Sequence, residues 1–273
     1  MKKSDLLTVS AIILGICGAF LRAKHLLTGF ETDTGLPLRS INPYGLALVV
    51  LTACVFLFFL ILALLYRRTA GIGASSSLYH ISGVNQVSVR VLSAFLMFLA
   101  SIIGIYQFLL HNSVSILIIS LLSLVSGAGL ISLTLAQKKD CLSDEHLICA
   151  AAPVFWICFL LIYYYREHSA NPVFGSFSYE LFALAVSMMA IFYFSGFFFA
   201  RPYPARALFT SSFAIYMILT AYGGRVLCSV LGNRFYELPA VASVALRHVV
   251  HSASGDRKQQ PVKPCFVRKT IMF

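Results

Sequence analysis

The sequence predicts an all-α fold, a polytopic transmembrane helix bundle of about seven spans. Three observations predict it. Charged residues make up only 11% of the chain and hydrophobic residues 59%, with a mean hydropathy of +0.85; soluble domains carry about 25% charged and about 45–50% apolar residues. The apolar residues gather into runs close to the roughly 20 residues that a helix needs to cross hydrocarbon. The charges stand between those runs. Helices are the expected form because a helix pairs its own backbone groups, each of which is costly to leave unpaired in hydrocarbon. A barrel would show short alternating segments instead.

The elements follow in order. The first run, Leu6 to Leu21, comes after Lys2 and Lys3 and is bounded by Arg22 and Lys24. It imitates a signal peptide but lacks an Ala-x-Ala cleavage site, so an uncleaved span is expected. The second, Gly45 to Tyr66, carries no charge at all. Val91 to Leu110 and Val114 to Ala136 are joined only by His111, Asn112 and Ser113, a linker that predicts an antiparallel helical hairpin. Leu147 to Tyr165, Leu181 to Ala200 and Ala207 to about Leu227 complete the set. These spans form a predicted bundle over residues 1–232. The basic segment 233–273 is expected to lie on the membrane surface or to be disordered, as "SASGDRKQQPVKP" reads. An eighth crossing from Val226 to Leu246 would bury Arg234, Glu237 and Pro239, and is disfavoured for that reason.

Charge sets the orientation. With the N-terminus inside, Lys2, Lys3, Arg67, Arg68, Arg90, Lys138, Lys139, Arg201 and Arg206 fall on the inner side, against Arg22, Lys24, Arg39 and Arg166 outside. Positive residues favour the cytoplasmic face, so a cytoplasmic N-terminus is predicted; an odd number of spans then places the basic tail outside. The formal charge of +11 is explained by orientation and anionic lipid headgroups. Membrane lipids are the expected partners, other membrane proteins are secondary ones, and nucleic acid is not expected.

Chemistry-bearing patterns are sparse. The seven cysteines are scattered, with no Cys-x-x-Cys pair, which argues against a disulfide framework or a zinc site. "TAGIGASSS" lacks the third glycine of a phosphate loop, and "GFETDTGLP" lacks the spacing of a calcium loop. Apart from Arg225 near the end of the last run, no ionisable residue is expected in the centre of any span. That argues against a proton relay, a haem held between helices and a retinal protein. No metal, cofactor or catalytic group is predicted.

In "YYYREHSANP", Tyr163, Tyr164 and Tyr165 suit a headgroup interface, Arg166 suits a helix C-terminus, and Asn171-Pro172 turns the chain out of helix. Glu180 suits the start of the next helix. The competing reading brings Glu167, His168 and Glu180 together at the outer face around a cation or substrate. Arg201, Tyr203 and Arg206 are candidate lipid contacts at the inner interface. Inside the bundle, Gln107, Ser120 and Ser123 are expected to pack polar groups between the third and fourth spans, with Gln107 hydrogen-bonded to Ser115 or Ser120.

The stretches "TGFETDTGLP" and "YYYREHSANPVFGSFSYELFALAVSMMAIFYF" resemble multi-pass membrane proteins of Firmicutes, clostridia in particular, a family without an assigned biochemical function. The resemblance runs to about Leu231. It implies a bacterial cytoplasmic membrane and brings no catalytic residues. The sequence therefore points to a non-enzymatic integral membrane protein serving as a sensor, assembly partner or structural component. The alternatives are a permease-like carrier of a small neutral or lipophilic solute and, after it, a lipid-modifying enzyme.

Overall fold

In the computed structural model, seven α-helices carry nearly all of the described residues: α1 Lys3–Gly29, α2 Pro43–Thr69, α3 Val84–His111, α4 Val114–Lys138, α5 Asp144–His168, α6 Phe174–Gly196 and α7 Pro204–Val230. The described residues are 3–31, 36–38, 42–69, 84–138, 144–169, 173–196 and 203–230. All seven helices are long and apolar enough to cross a membrane, and the chain is a multi-pass membrane protein. The chain divides after Leu238; the basic tail and the disfavoured eighth crossing beyond residue 230 lie outside the described residues.

Local chemistry sets the ends. Pro43 and Pro204 each open a helix, where a missing N–H is harmless. Asn42 caps α2, its Oδ1 accepting from the Tyr44 N–H at 3.0 Å. Between α3 and α4, Asn112 adopts a positive φ of 51° and donates its N–H to the Phe108 carbonyl, an ordinary left-handed helix stop. The Ser113 carbonyl then accepts the first bonds of α4. The expected hairpin is thus present. After α1, an antiparallel bridge between Phe30 and Pro37 draws the ends of the next loop together.

Several boundaries lie beyond the sequence expectation; α3, for one, begins at Val84, ahead of Arg90. α1 runs on through Arg22 and Lys24 to Gly29, and α6 begins before Glu180, at Phe174. Charged residues were read as edges, but neither Arg nor Glu breaks a helix. Both charges sit within helices and are neutralised there.

The helices pack as a row with one thick end. α2 lies against α1 and α7, α1 runs along α7, and α6, α5, α4 and α3 follow in turn. α1, α2, α6 and α7 share a core that includes Leu7, Val55, Phe59, Phe213, Tyr216 and Met217. The closest packing is between α1 and α7. Ala11, Gly15, Ala19 and Ala23 recur every fourth residue on α1, as do Thr220, Gly224 and Cys228 on α7. Such stripes let helix backbones approach in lipid. A Cβ at Gly223 would lie 3.1 Å from the Ala19 Cβ, and one at Gly18 would collide with the Thr220 hydroxyl.

α5 contains Pro153, which has no N–H for the Cys149 carbonyl. Gly129 of α4 lies directly against that carbonyl; a Cβ there would stand 2.9 Å from it. At the next residue, the Ser195 hydroxyl of α6 donates to the Ala150 carbonyl at 2.8 Å. Neighbouring helices thus meet the backbone loosened by the proline.

Candidate functional site

The ends of α1, α6 and α7 bring together Arg22, Glu180 and Arg225. Helix rise places them roughly 8–10 Å in from the nearer ends of their helices, so they sit at one end of the bundle and below its rim. Arg22 and Glu180 have no exposed surface, and Arg225 retains 9%. Arg225 Nε lies 2.7 Å from Glu180 Oε1, and Arg22 Nη2 lies 3.7 Å from Oε2. The Nε contact is short, yet its N–H is not directed at the oxygen as in an aligned hydrogen bond. Proximity of charge holds the cluster together more than hydrogen-bond geometry does.

The helix dipoles suit this arrangement. Both arginines lie toward helix C-termini and the carboxylate toward an N-terminus. Arg22 is further held by the Gly175 and Ser176 carbonyls at 3.2 and 2.9 Å and by His25 Nδ1 at 3.0 Å. The guanidinium carries no acceptor, so His25 Nδ1 is the acceptor in that last contact. The Arg22 guanidinium also sits 4.7 Å over the Tyr179 ring. Gly224 makes room for its stem: a Cβ there would approach the Arg22 Cγ to 2.6 Å. The small residues of α7 therefore admit the arginine as well as the helix.

Beside this cluster, between α2, α6 and α7, lies a cavity of about 540 Å³ with a largely apolar lining that includes Val49, Phe56, Tyr179, Phe182, Phe213 and Met217. Tyr179 belongs to both features, since its ring lines the cavity and faces Arg22. Thr52 and Tyr216 mark the polar side of the cavity region through a hydroxyl–hydroxyl contact of 3.1 Å.

The residues singled out from sequence separate here. Glu167 is exposed at the end of α5. His168 stacks on Tyr164 with ring centroids 4.2 Å apart, and its Nδ1 lies 3.0 Å from the Tyr164 carbonyl. Glu180 contacts Arg22 and Arg225 rather than Glu167 or His168. Tyr203 and Arg206 are exposed at the opposite end of the bundle, with the guanidinium 5.0 Å over the ring; Arg201 lies outside the described residues. Ser120 and Ser123 are buried between α3 and α4. There the Ser101 hydroxyl donates to the Ser120 carbonyl at 2.8 Å, and the Ser123 hydroxyl donates to the Met97 carbonyl at 2.9 Å. Gln107 does not make the expected bond: its amide nitrogen is buried without a partner. Short hydroxyls reach carbonyls at this backbone separation, and Gly104 leaves the space that the Ser120 hydroxyl fills, since a Cβ there would collide with it.

Arg22 and Glu180, read from the sequence as edge markers, lie within α1 and α6 but toward one end of each helix and away from its centre. Their signal was present in the sequence as an arginine beside a four-residue ladder of small residues and as the one acidic residue of α6. Among the described residues, no group of three or more His, Cys, Asp and Glu side chains is placed to hold a metal ion. Fold and cluster together define a polytopic α-helical membrane protein with an internal ion cluster at one end. Comparison with known proteins finds no matching family model, no matching curated protein and no matching solved structure.

Proposed function

We propose that this chain is a non-enzymatic integral protein of a bacterial cytoplasmic membrane, with a cytoplasmic N-terminus, that acts by binding and assembly. The observation that supports this reading is that, among the described residues, the fully buried charge is confined to one end of the bundle. The ion cluster joins α1, α6 and α7 there, while farther along α7 Phe213, Tyr216 and Met217 pack with Phe59 of α2 into an apolar core. A carrier of polar solutes would need convergent polar groups near the midplane, and the cavity beside the cluster has an apolar lining. Membrane lipids are its first partners, and other membrane proteins are candidates for the broad apolar faces of α2 and α3.

Reconstituted vesicles test this reading. Liposomes containing the protein are expected to take up glycerol, urea and neutral amino acids no faster than protein-free liposomes, by light scattering and isotope uptake. Saturable, protein-dependent uptake would establish a carrier instead.

A further inference from the structure

The cavity between α2, α6 and α7 stops halfway along its helices. Its α2 wall runs from Val49 to Phe56, its α6 wall from Ser178 to Ala185, and Phe213 and Met217 of α7 stand at its back. Phe56, Ala185 and Met217 are the middle residues of their helices. Phe213 lies one turn beyond, and the rest of the lining lies toward the end that carries the ion cluster. Ser178 is about 6 Å in from the start of α6 and Phe56 about 20 Å in from the start of α2. Between them lies roughly the 15 Å of hydrocarbon that belongs to one leaflet.

Aromatic rings close the inner end. Phe56 of α2 meets Phe209 and Phe213 of α7 edge-on, with centroids 5.3 and 5.4 Å apart, and Phe182 of α6 meets Phe213 at 6.3 Å. One set of rings therefore ties the three helices together near mid-depth. Sideways the cavity is open. α2 and α6 both pack on α7, and Val49, Ala53 and Phe182 on the two walls keep exposed surface.

This shape selects an occupant. A helix from a partner or from a second copy would need a groove along the full hydrocarbon thickness of about 30 Å. A solute on its way across would need an open inner end. A lipid chain that enters sideways and ends at the bilayer midplane needs neither. Such a chain gains no hydrophobic energy on leaving its neighbours in the bilayer; it gains dispersion contacts with walls that otherwise border a void.

We infer that the cavity between α2, α6 and α7 is a binding site for one acyl chain of a phospholipid, taken from the leaflet on the side of the ion cluster. The methyl end rests on the rings of Phe56 and Phe213, and the chain leaves toward the headgroups past Ser178 and Tyr179. Arg22 holds the Tyr179 ring in place, 4.7 Å from its centroid. The inference rests on the reading of lipids as first partners and names the place where one is held.

The full chain in palmitoyl-oleoyl phosphatidylcholine nanodiscs tests the site. A small share of the phosphatidylcholine carries a photoreactive diazirine midway along one chain, and crosslinks are mapped by mass spectrometry of peptides. Thr52 and Leu181, half-buried on the two walls, are expected to react at least as strongly as Ile102, which is exposed on α3 at a similar depth. Ala53→Phe and Ala185→Phe place a ring in the groove from opposite walls. Each is expected to lower the yield at Thr52 and Leu181 roughly tenfold and to leave Ile102 unchanged. The proposal is overturned if Thr52 and Leu181 of the wild-type chain react more weakly than Ile102, a result that depends on neither variant, or if both variants react there as the wild type does. Neither outcome alters the uptake measurement, which decides the carrier reading separately.

Discussion

Glu180 has no exposed surface and stands between two guanidiniums. A charge taken from water loses several kcal/mol of solvation, and a partner returns it only where the geometry is good. Here one carboxylate serves two arginines, and neither of its oxygens accepts an aligned hydrogen bond. The cluster is therefore better described as a specificity device than as a large source of net stability: it fixes which faces of α1, α6 and α7 meet. Removing one member is different, because it leaves buried charge uncompensated. Glu180→Gln is expected to cost about 3–5 kcal/mol, measured as a fall in unfolding temperature in detergent micelles. Replacing Glu180 and Arg225 together by leucine and methionine is expected to recover part of that loss. A double variant less stable than Glu180→Gln would show that the pair itself stabilises the fold.

At the scale of helices, the α1–α7 contact depends on small residues. Gly224→Ala would push a methyl into the stem of Arg22, and overpacking of this kind costs about 1–3 kcal/mol; the same substitution at Gly175, where an added Cβ has 3.6 Å of room, is expected to be nearly silent in the same melting measurement. The sequence made the helices themselves legible, because length and apolar content decide whether a segment spans. It also made the turn at Asn112 and Ser113 legible, because so short a linker permits only a hairpin. Helix ends were misjudged at Arg22 and Glu180 for one physical reason: each charge was read against lipid or water, while its true environment is another helix. Polar partners inside the α3–α4 hairpin were misjudged for a related reason. The side-chain reach of Gln107 suggested a bridge, but the close approach permitted by Gly104 let Ser101 and Ser123 reach carbonyls instead. Pairing between helices depends on axial register and rotation, which no single apolar run encodes.

For the whole molecule, the central claim is that the chain crosses the membrane seven times and gathers its buried charge at one end. The alternation of helices places the loops after α1, α3 and α5 on the side of the ion cluster, and the loop after α6 on the other. Positive charge in the opposite loops argues that the cluster faces outward. The claim rests on lipid as the solvent for the exposed leucines, isoleucines and phenylalanines of α2 and α3, which in water would form an apolar surface far larger than a soluble protein tolerates. Cysteine labelling in intact cells tests it most directly. With the signal of the native cysteines subtracted, single substitutions Glu31→Cys, Asn112→Cys and Ser169→Cys are expected to react with a membrane-impermeant maleimide, while Tyr203→Cys reacts only after the membrane is opened. Labelling of Tyr203→Cys together with Asn112→Cys in sealed cells would contradict the account.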